Sequence, residues 1–137
     1  MNIQKRSREQ IVAKVAQDIP TGSFVNLGIG LPTRVAGYLK PEQGVILHSE
    51  NGVLGFAALS DPEQADDDLI NAGKELVSML QGGSFMNSAD SFDIMRGGHL
   101  DICIMGAFQV AINGDLANWH TGNADAVPAV GLSLIHI

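Results

Sequence analysis

The chain has a single cysteine, Cys103, so no intrachain disulfide can form. Because that residue lies inside Leu100-Asp101-Ile102-Cys103-Ile104-Met105, it reads as a small buried core residue rather than a redox group. Basic residues are also few. Eight Lys and Arg stand against 15 Asp and Glu, a net charge of −7, and without a basic stripe to neutralise phosphates the composition argues against a nucleic-acid partner. Much of the acidity falls between Asp61 and Asp68, where a solvated loop is expected. Met1-Asn2-Ile3-Gln4-Lys5-Arg6 leads into polar residues with no apolar core behind it, so neither a secretory signal nor a membrane span is expected, and the cytoplasm is the expected location. Metal-ligand spacing is missing as well: His48, His99, His120 and His136 are scattered. No resident metal or cofactor is expected, and His99 and His120 read as structural hydrogen-bonding residues.

What the chain does have is apolar content and glycine. Its 137 residues are 45% hydrophobic, enough for one domain with a core but not for two. Sixteen glycines in 137 residues are about 12%, against a usual level of about 7%, and they cluster at junctions without repeating, which predicts many tight turns. Ser7-Arg8-Glu9-Gln10 has the spacing of a capping box, and Ile11, Val12, Val15, Ala16 and Ile19 then share one helical face up to Pro20. Ser23 to Leu27 reads as a buried strand. Gly28-Ile29-Gly30-Leu31-Pro32 turns it into a second helix carrying Val35, Ala36 and Leu39. Further strands are read at Val45 to Leu47 and at Leu100 to Met105, with an apolar run from Glu75 to Leu80 and a helix from Ser88 to Arg96. This alternation predicts an α/β fold with a mostly parallel sheet flanked by helices, since parallel strands need crossovers.

Two turns carry the candidate chemistry. Gly28 and Gly30 stand at a strand-to-helix junction, where backbone N–H groups can face an anion. Neither Gly-x-Gly-x-x-Gly nor Gly-x-x-x-x-Gly-Lys-Ser/Thr is completed, so a dinucleotide cofactor is disfavoured, and the glycines read equally well as structural turn residues or ligand contacts. In His48-Ser49-Glu50-Asn51-Gly52-Val53-Leu54-Gly55, one carboxylate leaves an aliphatic strand and enters a glycine-rich turn. Ligands of open α/β sheets bind at the carboxyl ends of the strands, which makes Glu50 a nucleophile candidate, although a solvated loop acid has the same signature. The two turns are expected to face one crevice.

Five blocks, in order and spacing, resemble the B subunit of family I CoA-transferases: Asn26-Leu27-Gly28-Ile29-Gly30-Leu31-Pro32, Ser49-Glu50-Asn51-Gly52, Asp68-Leu69-Ile70-Asn71-Ala72-Gly73-Lys74-Glu75, Arg96-Gly97-Gly98-His99 and Gly114-Asp115-Leu116-Ala117-Asn118-Trp119. The resemblance runs from Met1 to Gly131 and implies the CoA-transferase (NagB/RpiA-like) fold. Within the family the chain is most similar to members that move CoA from succinyl-CoA to 3-oxoadipate, with acetoacetate or acetate as alternative acceptors. It implies a separate A subunit as partner in a heterodimer or heterotetramer, and coenzyme A as a substrate rather than a cofactor. By the same resemblance Glu50 is the nucleophile that carries CoA as a glutamyl thioester, and Asn26 and Asn51 position the reacting groups or stabilise the oxyanion. Gly28, Gly30 and Lys74 are then placed against CoA. Asn26 as a strand-end amide and Lys74 as an ion-pair partner of its own loop remain alternatives, and Phe108 and Trp119 read as core or interface packing.

After Gly131 the resemblance stops. Family members continue with a second glycine near the acyl site, then Ala-Met-Asp-Leu and more strands, whereas this chain has Leu132-Ser133-Leu134-Ile135-His136-Ile137. These residues resemble a translated sequencing adapter, so the domain is expected to be partial over 1–131, with a non-native tail over 132–137 and an incomplete sheet. Two other classes stay open. A sugar-phosphate isomerase-like enzyme would show phosphate-holding Ser/Thr-Gly turns. A regulatory domain would bind CoA esters without forming a glutamyl adduct.

Overall fold

The structure, a computed structural model, describes residues 4–118 and 122–123. The 131 boundary, the 132–137 tail, Trp119, His120 and His136 lie outside the described residues.

Helix α1 (Arg8–Asp18) starts where the spacing predicts. The Ser7 hydroxyl accepts the Gln10 N–H at 3.2 Å and the Gln10 side chain accepts the Ser7 N–H at 2.8 Å, so two otherwise orphaned donors are satisfied together. Ile19 is already extended, as a residue before proline prefers, and the helix stops there. Val12, Ala16 and Ile19 are buried, while Ile11, read on the same face, is 40% exposed at its rim.

The main sheet has the order β4-β3-β2-β1-β5. Strand β1 (Phe24–Leu27) is central, with β2 (Ile46–Ser49) and β5 (Ile102–Ile104) parallel to it on either side. Strands β3 (Val53–Ala58) and β4 (Val77–Phe85) complete the sheet as an antiparallel meander. The α/β sheet flanked by helices is therefore present, and it is mixed: its parallel part holds the strand ends read from sequence. The segment after Glu50, read as a glycine turn, becomes β3 after only Asn51 and Gly52. Helix α2 (Ser88–Arg96) lies where expected, with the Asn87 side chain capping it through the Asp90 N–H at 2.9 Å.

One element differs in kind. The second helix is a 3₁₀ segment, Leu31–Tyr38, where an α-helix was expected. Pro32 stands in the first turn, where its missing N–H costs nothing, but Gly37 inside the segment weakens a regular α-helix, and the tighter helix that forms is held by packing. Val35 from this segment joins Val12, Ala16, Val25, Leu27, Leu47, Val53, Phe56 and Val77 in one buried cluster. A separate hairpin, β6 (Gln109–Val110) with β7 (Leu116–Ala117), leaves Phe108, Val110 and Ile112 exposed. Phe108 is thus not core within the described chain. No helix among the described residues is long and apolar enough to cross a membrane.

Candidate functional site

Glu50 follows β2 directly, at the carboxyl end of the parallel strands, and is half-buried. The turn that presents it is tightly held. The Gly52 N–H donates to the Ser49 carbonyl at 2.9 Å, and the Gly52 carbonyl accepts the Met86 N–H at 2.9 Å. Gly52 has φ +103°, and a Cβ there would lie 2.0 Å from the Met86 carbonyl oxygen, so the backbone passes where only glycine fits.

Both neighbours of Glu50 reach the loop that carries Lys74. The Ser49 hydroxyl accepts the Ala72 N–H at 2.8 Å, and the Asn51 amide donates to the Ile70 carbonyl at 2.7 Å. Asn71 templates that loop: its Oδ1 accepts the N–H groups of Gly73 and Glu75 at 2.8 and 3.1 Å, and its Nδ2 donates to Glu75 Oε2 at 3.0 Å. Lys74 is held at φ +63°, the left-handed region that costs a side-chain-bearing residue about 1–2 kcal/mol, and it is exposed. Gly73 in turn sits against Thr33, since a Cβ there would come 2.9 Å from the Thr33 methyl. Thr33 donates its hydroxyl to the Gly30 carbonyl at 2.7 Å. Three blocks far apart in sequence thereby meet: the Gly28–Gly30 turn, the Glu50 turn and the Lys74 loop.

Their parts are unequally available. Gly28 is buried and its N–H donates to the Ile104 carbonyl of β5 at 2.9 Å, which closes the sheet. Gly30 is exposed at φ +91° with open space where a side chain would stand. The Asn51 amide is committed to Ile70, and His99 is exposed. Asn26 is fully buried. Its Nδ2 donates to Cys103 Sγ at 3.3 Å, and its Oδ1 lies 2.9 Å from His48 Nδ1, while His48 Nε2 lies 3.0 Å from the Ser91 hydroxyl.

Cys103 is half-buried rather than part of the core, because β5 is an edge strand of the described sheet, next to β1. Burial raises its thiol pKa, the Asn26 hydrogen bond opposes that rise, and the Glu50 carboxylate adds to it. The Glu50 carboxylate is therefore close enough for its charge to act on the Cys103 thiol. Burial alone pushes His48 below the ordinary imidazole value, which keeps the ring neutral at neutral pH. Ser49, Asn71, Ser91 and Cys103 were not singled out as site residues from sequence. The alternating polar positions Asn26 and His48, each within an aliphatic strand, were the available signal; their meeting with Cys103 depends on strand register. Among the described residues no cluster of three His, Cys, Asp or Glu is arranged to hold a metal ion.

This geometry coincides with recognisable relatives. The family model described as Coenzyme A transferase matches residues 8–130. The chain is 61% identical over 131 residues to the B subunit of the 3-oxoadipate CoA-transferase of Acinetobacter baylyi, an alignment covering 96% of this chain and 60% of that protein. It is 50% identical over 112 residues to the B subunit of the succinyl-CoA:3-ketoacid coenzyme A transferase of Helicobacter pylori, covering 82% of this chain and 54% of that one. An acyl-CoA transferase of Escherichia coli O157:H7, solved as an apoenzyme and as a thioester complex with CoA, shares the fold. Its two structures give TM-scores of 0.59 and 0.57 at 19% and 16% identity, covering 89% of this chain and 21% and 22% of that one. The chain thus spans 60% or less of the length of these relatives. With the family model matched over most of its residues and B-chain relatives aligned along most of its length, the chain belongs to the coenzyme A transferase family.

Proposed function

We propose that this chain supplies the nucleophile of a two-subunit CoA-transferase, with Glu50 carrying CoA as a thioester between succinyl-CoA and a 3-oxo acid, 3-oxoadipate first among them. The observation that carries the reading is the placement of Glu50: a half-buried carboxylate at the carboxyl ends of parallel strands, on a turn fixed from both sides. A carboxylate is ionised at neutral pH and needs no base to attack.

In the proposed cycle a Glu50 oxygen attacks the thioester carbonyl, the C–S bond breaks and CoA thiolate leaves an acyl-glutamyl anhydride. The thiolate attacks the glutamyl carbonyl and expels the donor acid as its carboxylate, leaving glutamyl-CoA. The acceptor carboxylate then attacks this thioester and releases the thiolate, which takes the new acyl group and frees Glu50. Each electron pair returns to oxygen or sulfur, so no water, redox partner or net proton is consumed. Tetrahedral oxyanions form at each step; exposed backbone near Gly30 is an available donor, and the buried Asn26 amide, which donates to Cys103 Sγ, becomes one where substrate displaces that contact. Lys74, exposed on the adjoining loop, is suited to meet an anionic part of CoA.

The choice of 3-oxoadipate is supported by the Acinetobacter relative at 61% identity, and the acetoacetate alternative by the Helicobacter relative at 50%. Both relatives are named as B subunits, which supports an A-subunit partner. The test is to incubate the chain, assembled with its A subunit, with succinyl-CoA and trap with hydroxylamine. A modification on Glu50 is expected. Its absence, with acyl-CoA bound, would favour a regulatory CoA-ester-binding domain instead.

A further inference from the structure

A continuous polar chain crosses the interior of the sheet and ends at the crevice. Asn26 pairs in register with His48 on one side and Cys103 on the other, so the three side chains lie on one face of the three parallel strands. Ser91 of α2 adds the far end, 3.0 Å from His48 Nε2. Asn26, His48 and Ser91 are all essentially inaccessible to solvent. Folding alone does not call for them: matched apolar replacements of buried hydrogen-bonded groups are close to neutral, whereas each group left without its partner costs about 1–3 kcal/mol. A polar series where apolar residues would serve, ending at a thiol that feels the Glu50 charge, has a use at that end.

We propose that Ser91 and His48 are positioning residues which lock the orientation of the Asn26 amide, and so set which of its ends faces Cys103 and the Glu50 crevice. The proposal rests on the CoA-transfer reading of Glu50.

The lock follows from hydrogen counting. An asparagine amide fills nearly the same space after a 180° flip, so shape does not choose its orientation. A neutral imidazole has one N–H and one bare nitrogen, and depressed basicity keeps His48 in that form. The Ser91 hydroxyl has one hydrogen and two possible acceptors, His48 Nε2 at 3.0 Å and the Ser49 carbonyl at 3.4 Å. Donation to the nearer one makes Nε2 the acceptor and puts the ring hydrogen on Nδ1. Nδ1–H can face only Asn26 Oδ1, at 2.9 Å, which turns Nδ2 toward Cys103. Were Ser91 to donate to Ser49 instead, the ring would take the other tautomer and the amide would flip, presenting an acceptor to the crevice. An acceptor there opposes a developing oxyanion; a donor stabilises it. Ser91 therefore decides, two hydrogen bonds away, the polarity that Asn26 offers.

The experiment uses the full chain assembled with its A subunit. Nitrogen-15 NMR of His48 is expected to show the Nδ1–H tautomer; the Nε2–H tautomer would overturn the lock whatever Glu50 does. Kinetics then test its use. Asparagine at 48 places an amide nitrogen where Nδ1 stands, while glutamine places its amide at Nε2. With folding retained, S91A and H48Q are expected to lower kcat by about 10- to 100-fold with KM little changed, and H48N to restore most of the loss. Wild-type kcat in folded S91A, or equal losses in H48N and H48Q that track stability, would overturn the positioning role. Failure of the parent reading is distinct: wild-type protein would then give no trapped Glu50 thioester even with His48 in the expected tautomer.

Discussion

The two faces of the sheet are built from neighbouring residues of the same strands yet follow opposite rules. Val25, Leu27 and Leu47 point to the side that joins Val12, Ala16 and Val35 in the apolar cluster, where burial is non-directional and any well-fitting aliphatic chain would serve. Asn26 and His48, one position along, bury as deeply on the other side and are held by directional hydrogen bonds of 2.9 to 3.3 Å, in which each donor must meet an acceptor. One face holds by buried apolar area, the other by directed hydrogen bonds. Mutations should separate the two: apolar-face changes should cost stability with turnover per folded molecule kept, and polar-face or crevice changes should lower turnover per folded molecule beyond whatever stability they cost.

The sharpest separation is expected from Glu50→Gln, which replaces the proposed nucleophile with an amide on a half-buried turn. CoA transfer should fall by about 10³-fold or more, equivalent to about 4 kcal/mol, with the urea midpoint nearly unmoved. An active glutamine variant, deamidation excluded by mass, would remove Glu50 from the chemistry. Phe56→Ala is the counterpart on the apolar face: Phe56 is 1% exposed, and its loss should destabilise by about 3–5 kcal/mol in urea unfolding. Gly52→Ala should damage both properties, since it combines φ +103° with a collision against the Met86 carbonyl; about 2–3 kcal/mol is expected, along with displacement of Glu50.

A pH series tests the polar face by itself. The His48 pKa is lower folded than the ordinary 6.5. Protonation therefore favours the unfolded chain, and the stability tied to neutral His48 is complete above about pH 6.5 and declines as pH falls from there toward the folded pKa. His48→Asn should flatten that part of a plot of stability against pH; an unchanged slope would assign it to other groups. The smallest effect is expected from Asn51→Ala. Its exposed amide holds one hydrogen bond to Ile70, so about 0.5–1.5 kcal/mol should be lost, with a modest fall in turnover as the Lys74 loop loosens.

Local rules were legible in the sequence where they act alone. The Ser7–Gln10 capping box, the stop before Pro20, β1 and α2 follow from spacing and side-chain chemistry and stand where the pattern placed them. Elements failed to show where a long-range contact outweighs local preference. Gly52 and Gly55 read as turn residues, yet β3 runs through Gly55 because β2 and β4 pair with the strand on both sides. The strand read at Val45 to Leu47 runs on through His48 and Ser49, because partners from α2 and the 70–75 loop satisfy their side chains. Leu31–Tyr38 had helical periodicity, but Gly37 inside it left the type of helix to packing.

By itself the sequence determined that a carboxylate would end an aliphatic strand in a glycine turn, because alternation of apolar runs and glycines is a property of neighbouring residues. It also determined the family, whose blocks are contiguous. Only the tertiary structure decided what surrounds Glu50. Register between β1, β2 and β5 set Asn26 between His48 and Cys103, and the folding back of the 70–75 loop put Ser49 on Ala72. Partners that meet through strand pairing across the sheet leave no periodic trace along the chain.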